Sequence, residues 1–183
     1  MILCIDIDDT ICNLQEVVIG IFNKRYNTEY TLEDFHSFDI MDVLPVEEAT
    51  KFKSIYGEHG VYDLVKPFAG SQDGLRKLMN DGHQIYFASN IVPETHSEKV
   101  AFIQRYFPFI DPTRIIAIKD KWLIRADIMI EDNLDNLLAK PYYERILMNR
   151  PWNQWNKDYV YGIYRCNNWS EIVATVNKIC EEE

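Results

Sequence analysis

Six short apolar runs recur along this chain, and they constrain its fold more than any other feature. They are MILCID (1–6), HQIYFASN (83–90), RIIAIKD (114–120), ADIMIED (126–132), ERILMNR (144–150) and the less regular DYVYGIYR (158–165). Ile-rich runs bounded by polar residues suit parallel strands buried on both faces. Helical patterns lie between them. In NLQEVVIGIFNKRY, Leu14, Val17, Val18, Ile21 and Phe22 share one face. SQDGLRKLMNDG has Ser71 to cap its start and Gly82 to end it. PETHSEKVAFIQRYF opens on Pro93, a good first-turn residue, and SEIVATVNKIC follows Ser170 as its cap. Alternating strands and helices predict an α/β fold with a doubly wound, mainly parallel, Rossmann-like sheet.

One stretch breaks the alternation. Roughly 75 residues separate the first run from the second, where a simple crossover needs far fewer. The segments TLEDF and PVEEATKFKSIYG within it are helical in pattern. The expected division is a core of residues 1–13 and 69–183, with 14–68 as a small helical cap over the carboxyl edge of the sheet.

Bulk properties narrow the function classes. A chain of 183 residues with 47% apolar content can bury a real core. A net charge of −10 with no Lys/Arg cluster argues against a nucleic-acid polymer as partner. No apolar run approaches membrane-spanning length, and acidic residues interrupt the N-terminus at once, so a cytoplasmic protein without membrane association is expected. Cys4, Cys12, Cys166 and Cys180 form no CxxC pair, so reduced structural thiols are expected and a zinc site is not.

Ligands of open parallel sheets bind beyond the carboxyl ends of the strands. There the first run delivers Asp6, Asp8, Asp9 and Thr10, the second Ser89 and Asn90, the third Lys119, Asp120 and Lys121, and the fourth Glu131, Asp132 and Asn133. Clustered carboxylates repel one another unless a hard cation reconciles them, and Mg²⁺ takes one or two carboxylates plus substrate oxygens. A carboxylate can attack phosphorus, while a hydroxyl and a lysine offset the charge of the transferring group. Phosphoryl transfer is the chemistry that this set suits.

The same residues resemble a known family. DIDDT fits the Asp-x-Asp-x-Thr/Val signature of haloacid-dehalogenase-like phosphatases, and a serine after an apolar strand, a lysine before ADIMIEDN and the acidic pair ED fit its other motifs in order. YDLVKPFAG, KDKWLIRADIMIED and NRPWN are similar to the 5′(3′)-deoxyribonucleotidase branch. The resemblance implies a Mg²⁺-dependent phosphomonoesterase acting on nucleoside monophosphates through an aspartyl-phosphate. It implies Asp6 as nucleophile and Asp8 as acid and then base. Mg²⁺ would be held by Asp6, the Asp8 carbonyl and Asp132. Ser89 would bind a phosphoryl oxygen, and Lys121, preferred over Lys119, would neutralise Asp6 and the phosphate. Glu131, Asn90 and Thr10 would support the metal or phosphate. Two departures stand out: Asp9 occupies a position where many relatives carry glycine, and the acidic pair is Glu-Asp rather than Asp-Asp.

The aromatics Phe22, Phe35, Phe38, Tyr56, Tyr62 and Phe68 crowd the insertion, where one or two suit stacking on a nucleobase. Trp152 and Trp155 follow the fifth strand near the rim of the site. His59, His83 and His96 read as loop or helix-surface residues rather than ligands, and His36, in the insertion, is left as a lesser candidate for a substrate contact. A sugar phosphate or other small phosphoester is the alternative substrate, and a homodimer is left open. A receiver-like signalling domain fits poorly, because no lone Asp ends the second strand and the insertion has no place in it. A calcium-binding loop begun at Asp6 would put Ile11 at its glycine position and Val17 at its bidentate acid. A terpene cyclase, which also carries DxDD, would be larger and helical.

Overall fold

The structure, a computed structural model, describes residues 1–90, 92–139, 142–154 and 162–182. Six parallel strands form one sheet: β1 (Ile2–Ile5), β2 (Gln84–Ser89), β3 (Ile115–Ala117), β4 (Ile128–Glu131), β5 (Glu144–Met148) and β6 (Ile163–Cys166). Their order is β3-β2-β1-β4-β5-β6, the doubly wound arrangement, whose topological switch point lies between β1 and β4. All six apolar runs contribute a strand. The first half of DYVYGIYR, 158–161, lies outside the described residues, as does Trp155.

Alternation along each strand divides the core into two layers. Leu3 and Ile5 of β1, Ile128 and Ile130 of β4, and Ile146 and Met148 of β5 pack into the larger cluster. Cys4, Met129 and Leu147 face the other way, against Leu134 and Leu137 of α6 (Leu134–Leu138). The larger layer is closed by α4 (Ser71–Asn80), α5 (His96–Tyr106) and α7 (Trp169–Glu182). Helices α4 and α7 approach closely because Gly74 has no side chain. A Cβ there would meet Trp169 at 2.9 Å and Val173 at 3.2 Å.

Two helix starts differ from expectation. Ser71 is the first helical residue of α4, after Gly70 at φ 80°, and its hydroxyl donates to the Phe68 carbonyl instead of capping. At α7 the cap is Asn168, whose Oδ1 accepts from Glu171 N–H, so the helix begins one residue before Ser170. At α4 the left-handed glycine lets the helix start one residue early with no side-chain cap, whereas at α7 Asn168 is the polar residue better placed to take the free N–H.

The long excursion after β1 carries α1 (Leu14–Tyr26), α2 (Val46–Ile55) and α3 (Val61–Leu64) and no strand of the sheet. Its aromatic centre packs Phe52 against Phe22 (5.3 Å) and Phe35 (4.9 Å). That centre is continuous with the larger core layer. The chain departs and returns side by side: Asn13 N–H donates to the Lys66 carbonyl, Lys66 N–H to Asn13 Oδ1, and Phe68 N–H to the Ile11 carbonyl. Among the described residues no helix is long and apolar enough to cross a membrane.

Candidate active site

Asp6 follows the last residue of β1, beside β4 and its terminal Glu131, so the sheet itself sets two carboxylates side by side. Lys121, in a one-turn helix after β3 (Lys121–Leu123), donates to both Asp6 and Glu131. All three are buried. Glu131 is fully occupied: besides Lys121 it accepts from Asn136 Nδ2 at 2.6 Å and from the N–H groups of Asp132 and Asn133 at 3.0 Å. Burial pushes its carboxyl up, but Lys121 and these donors outweigh burial and hold it below the usual glutamate range. Lys121 is raised despite its own burial, by Asp6 and Glu131.

At Asp6 and Asp132 burial and neighbouring carboxylates outweigh the donors. Burial, opposed by Lys121 and reinforced by Glu131 and Asp8, pushes Asp6 up to about 7. Asp132 is held well above the carboxylate range by burial, then by Glu131, Asp6 and Asp9. Oxygens of Asp6, Glu131 and Asp132 lie within 4.8 Å of one another. Among the five carboxylates Asp6, Asp8, Asp9, Glu131 and Asp132, the cations Lys99, Lys121 and Arg150 leave two negative charges unmatched. A hard divalent cation with oxygen ligands is the group that this donor set fits.

A second ion pair, its lysine buried, lines the same cavity. Lys99 of α5, only 3% exposed, donates to Asp8 Oδ2 (2.6 Å), Ser89 Oγ (2.7 Å) and the Asn90 carbonyl (3.2 Å). The hydroxyl of Tyr62, from α3, donates to the other Asp8 oxygen at 2.7 Å. Lys99 and Tyr62 are the two residues here whose roles the motifs do not announce. Lys99 has a readable signal, because it shares the buried face of α5 with Phe102 and Ile103. A lysine on a helix's core face needs a partner.

Asp9 adopts a left-handed conformation at φ 53°. That is the geometry glycine supplies most easily, and aspartate is among the few other residues that tolerate it. Its carboxylate accepts from the Gln15 N–H at 3.1 and 3.2 Å, capping α1 from six residues upstream. Asn13, at the N-cap position itself, makes no capping bond. Arg150 Nε donates to the Asp9 carbonyl at 2.6 Å while its guanidinium covers the Phe68 ring at 4.1 Å. Trp152 Nε1 donates to Asp132 Oδ2 at 2.9 Å, and Asn153 Nδ2 to the Asp132 carbonyl at 2.7 Å, so NRPWN braces the end of β4. Thr10 is fully buried and away from the cavity wall, its hydroxyl without a partner among the described residues.

These groups surround a cavity of about 500 Å³. Asp6, Asp8, Ser89, Lys121 and Asp132 all line it, with Glu131 and Asn90; Lys119 stands exposed at its edge. Of the six aromatics, Phe38, Tyr56 and Tyr62 reach it, whereas Phe22 and Phe35 are spent in the core and Phe68 on Arg150. The four cysteines are free thiols.

Comparison with known proteins agrees with this geometry. The family model described as 5′ nucleotidase, deoxy (Pyrimidine), cytosolic type C protein matches residues 1–179. The 5′(3′)-deoxyribonucleotidase of Bacillus subtilis (strain 168) is 26% identical over 178 residues, spanning 93% of this chain and 95% of that relative. A haloacid dehalogenase-like family hydrolase from Streptococcus pneumoniae has a similar structure, with TM-score 0.64, 12% identity and coverage of 96% and 97%. So does Protein Tyrosine Kinase A of Mycobacterium tuberculosis, with TM-score 0.66, 13% identity and the same coverage. A fold shared by a hydrolase and a kinase leaves the chemistry to the site.

Proposed function

From the premise that this chain belongs to the family of cytosolic type C deoxy (pyrimidine) 5′-nucleotidases, we propose a Mg²⁺-dependent phosphomonoesterase that hydrolyses nucleoside monophosphates through an aspartyl-phosphate. The observation that carries this reading is the convergence of Asp6, Asp132, Lys121 and the Lys99–Ser89 pair on one cavity at the switch point of the sheet.

Asp6 attacks phosphorus, and the bond to the leaving oxygen breaks as Asp8 gives that oxygen a proton. Asp8 then takes a proton from water, which attacks the phospho-Asp6 and releases phosphate. Lys121, anchored by Glu131, offsets charge at Asp6. Lys99 and Ser89 donate to phosphoryl oxygens. Asp6, the Asp8 carbonyl and Asp132 would hold Mg²⁺, which when bound screens the carboxylates from the anionic substrate. Residues 14–68 act as a cap that excludes water and holds the leaving group, with Phe38, 54% exposed at the rim, as the stacking surface for a base.

The test is a phosphatase panel with Mg²⁺, setting deoxy- and ribonucleoside 5′- and 3′-monophosphates beside sugar phosphates. Nucleotides should be preferred, and preference for sugar phosphates would overturn the substrate while leaving the chemistry. Asp6→Asn should lose on the order of a thousandfold or more in rate, and retained turnover would remove Asp6 as nucleophile.

A further inference from the structure

Beyond the catalytic groups the cavity wall turns apolar, with Leu14, Phe38, Ile40 and Val92. Gln15 interrupts it. This residue sits in the first turn of α1 and is 95% buried, at 5% exposure. Its main chain is fixed by the Asp9 carboxylate, so its position relative to the catalytic loop is set. Its side chain is fixed as well, because Oε1 accepts from the hydroxyl of Tyr56 just beyond the end of α2. With the oxygen taken, the amide turns its two N–H groups away from Tyr56. Among the described residues no acceptor meets them. The Nε2 donor is thus held open to the cavity, on the wall where the leaving group must lie, and is set to meet an acceptor on a ligand.

We propose that Gln15 determines leaving-group specificity: its Nε2 donates to a carbonyl oxygen on a planar base, and Tyr56 holds the amide in the orientation that presents this donor. The assignment rests on the nucleotidase reading above and deepens it. Tyr56 is a positioning residue, since it acts through Gln15. A ligand carbonyl pairs with the oriented amide, whereas a leaving group without a base leaves it to water. Discrimination therefore arises from a hydrogen bond that only a base can accept, made by a donor already oriented by Tyr56.

The measurement is the ratio of kcat/KM for deoxyuridine 5′-monophosphate to that for 2-deoxyribose 5-phosphate, which carries the same phosphate and sugar without the base. In the wild type the ratio should favour the nucleotide. Gln15→Glu keeps the shape of the side chain but removes the donor, and the ratio should fall by about tenfold or more. Tyr56→Phe removes one oxygen and frees the amide to rotate, and the ratio should fall in the same direction. Tyr56→Phe decides the matter if Gln15→Glu does not fold. An unchanged ratio in folded variants would overturn the proposal, as would a wild-type ratio near one, since packing alone would then account for Gln15. Failure of the wild type to hydrolyse any nucleotide would instead sink the nucleotidase reading, and this inference with it.

Discussion

Asp9 shows how one residue can work against local preference for the sake of its neighbour. A left-handed backbone costs an ordinary side chain about 1–2 kcal/mol, and Asp9 recovers part of this by capping α1 through Gln15. Asp9→Ala keeps the strain and loses the cap, so it should destabilise by about 2 kcal/mol in denaturant unfolding. Asp9→Gly loses the cap but relieves the strain, and should fall within about 1 kcal/mol of the wild type. Equal effects would mean that the left-handed backbone carries no strain at this position. Glu131 makes a similar argument for the metal side. It is no surface acid but the anchor of a buried lysine, so Glu131→Gln should cost about 3 kcal/mol in unfolding free energy, the scale of breaking a buried ion pair. Asp6, Asp8, Ser89, Lys121 and Asp132 were legible because strand ends converge in any parallel sheet. Tyr62 was not, because nothing near it in the chain announces that α3 will fold back onto Asp8.

Periodicity identifies helices and strands but not which helices touch. The strands β1 to β6 follow from apolar runs, yet their order rests on long-range pairing that no local pattern encodes. No motif announces Lys99; only the core-facing positions of Phe102 and Ile103 mark its face as buried. The cap at Ser170 was misplaced because Asn168 takes the free N–H, and that at Ser71 because Gly70, in a left-handed conformation, starts the helix one residue earlier. Packing between α4 and α7 gives a sharp test. On helix propensity alone Gly74→Ala would stabilise by about 1 kcal/mol. The added methyl instead collides with the ring of Trp169, which is fully buried and tied to the Thr10 carbonyl through its indole N–H. A net loss of about 1–2 kcal/mol is expected in thermal or denaturant unfolding. A gain would show that the ring can move.

Across the whole molecule, the carboxylate site couples folding to pH and, under the proposed function, to a divalent cation. Without a cation, Asp6 is raised to about 7 and Asp132 is raised as well, so the fold keeps protons that the unfolded chain releases near pH 4. These groups favour the fold most at low pH, and that contribution is lost as pH rises through about 7. Under the proposed function, Mg²⁺ would take the place of those protons. The rise in Tm on adding millimolar Mg²⁺ should therefore be larger at pH 8 than at pH 6, and Asp132→Ala should remove most of it. A rise independent of pH would place the ion elsewhere.

The paired segments 11–13 and 66–68 have a consequence for how such a chain can diversify. Departure and return are joined by backbone hydrogen bonds at one point beside the site. The ends of the excursion are thus brought together whatever lies between them, and doubling its length adds only about 0.6 kcal/mol of closure entropy. Its sequence can be exchanged or lengthened without moving a strand, provided the newcomer still covers the apolar layer and returns a group to Asp8. One catalytic floor can in this way be refitted with many roofs, each choosing a different molecule to admit.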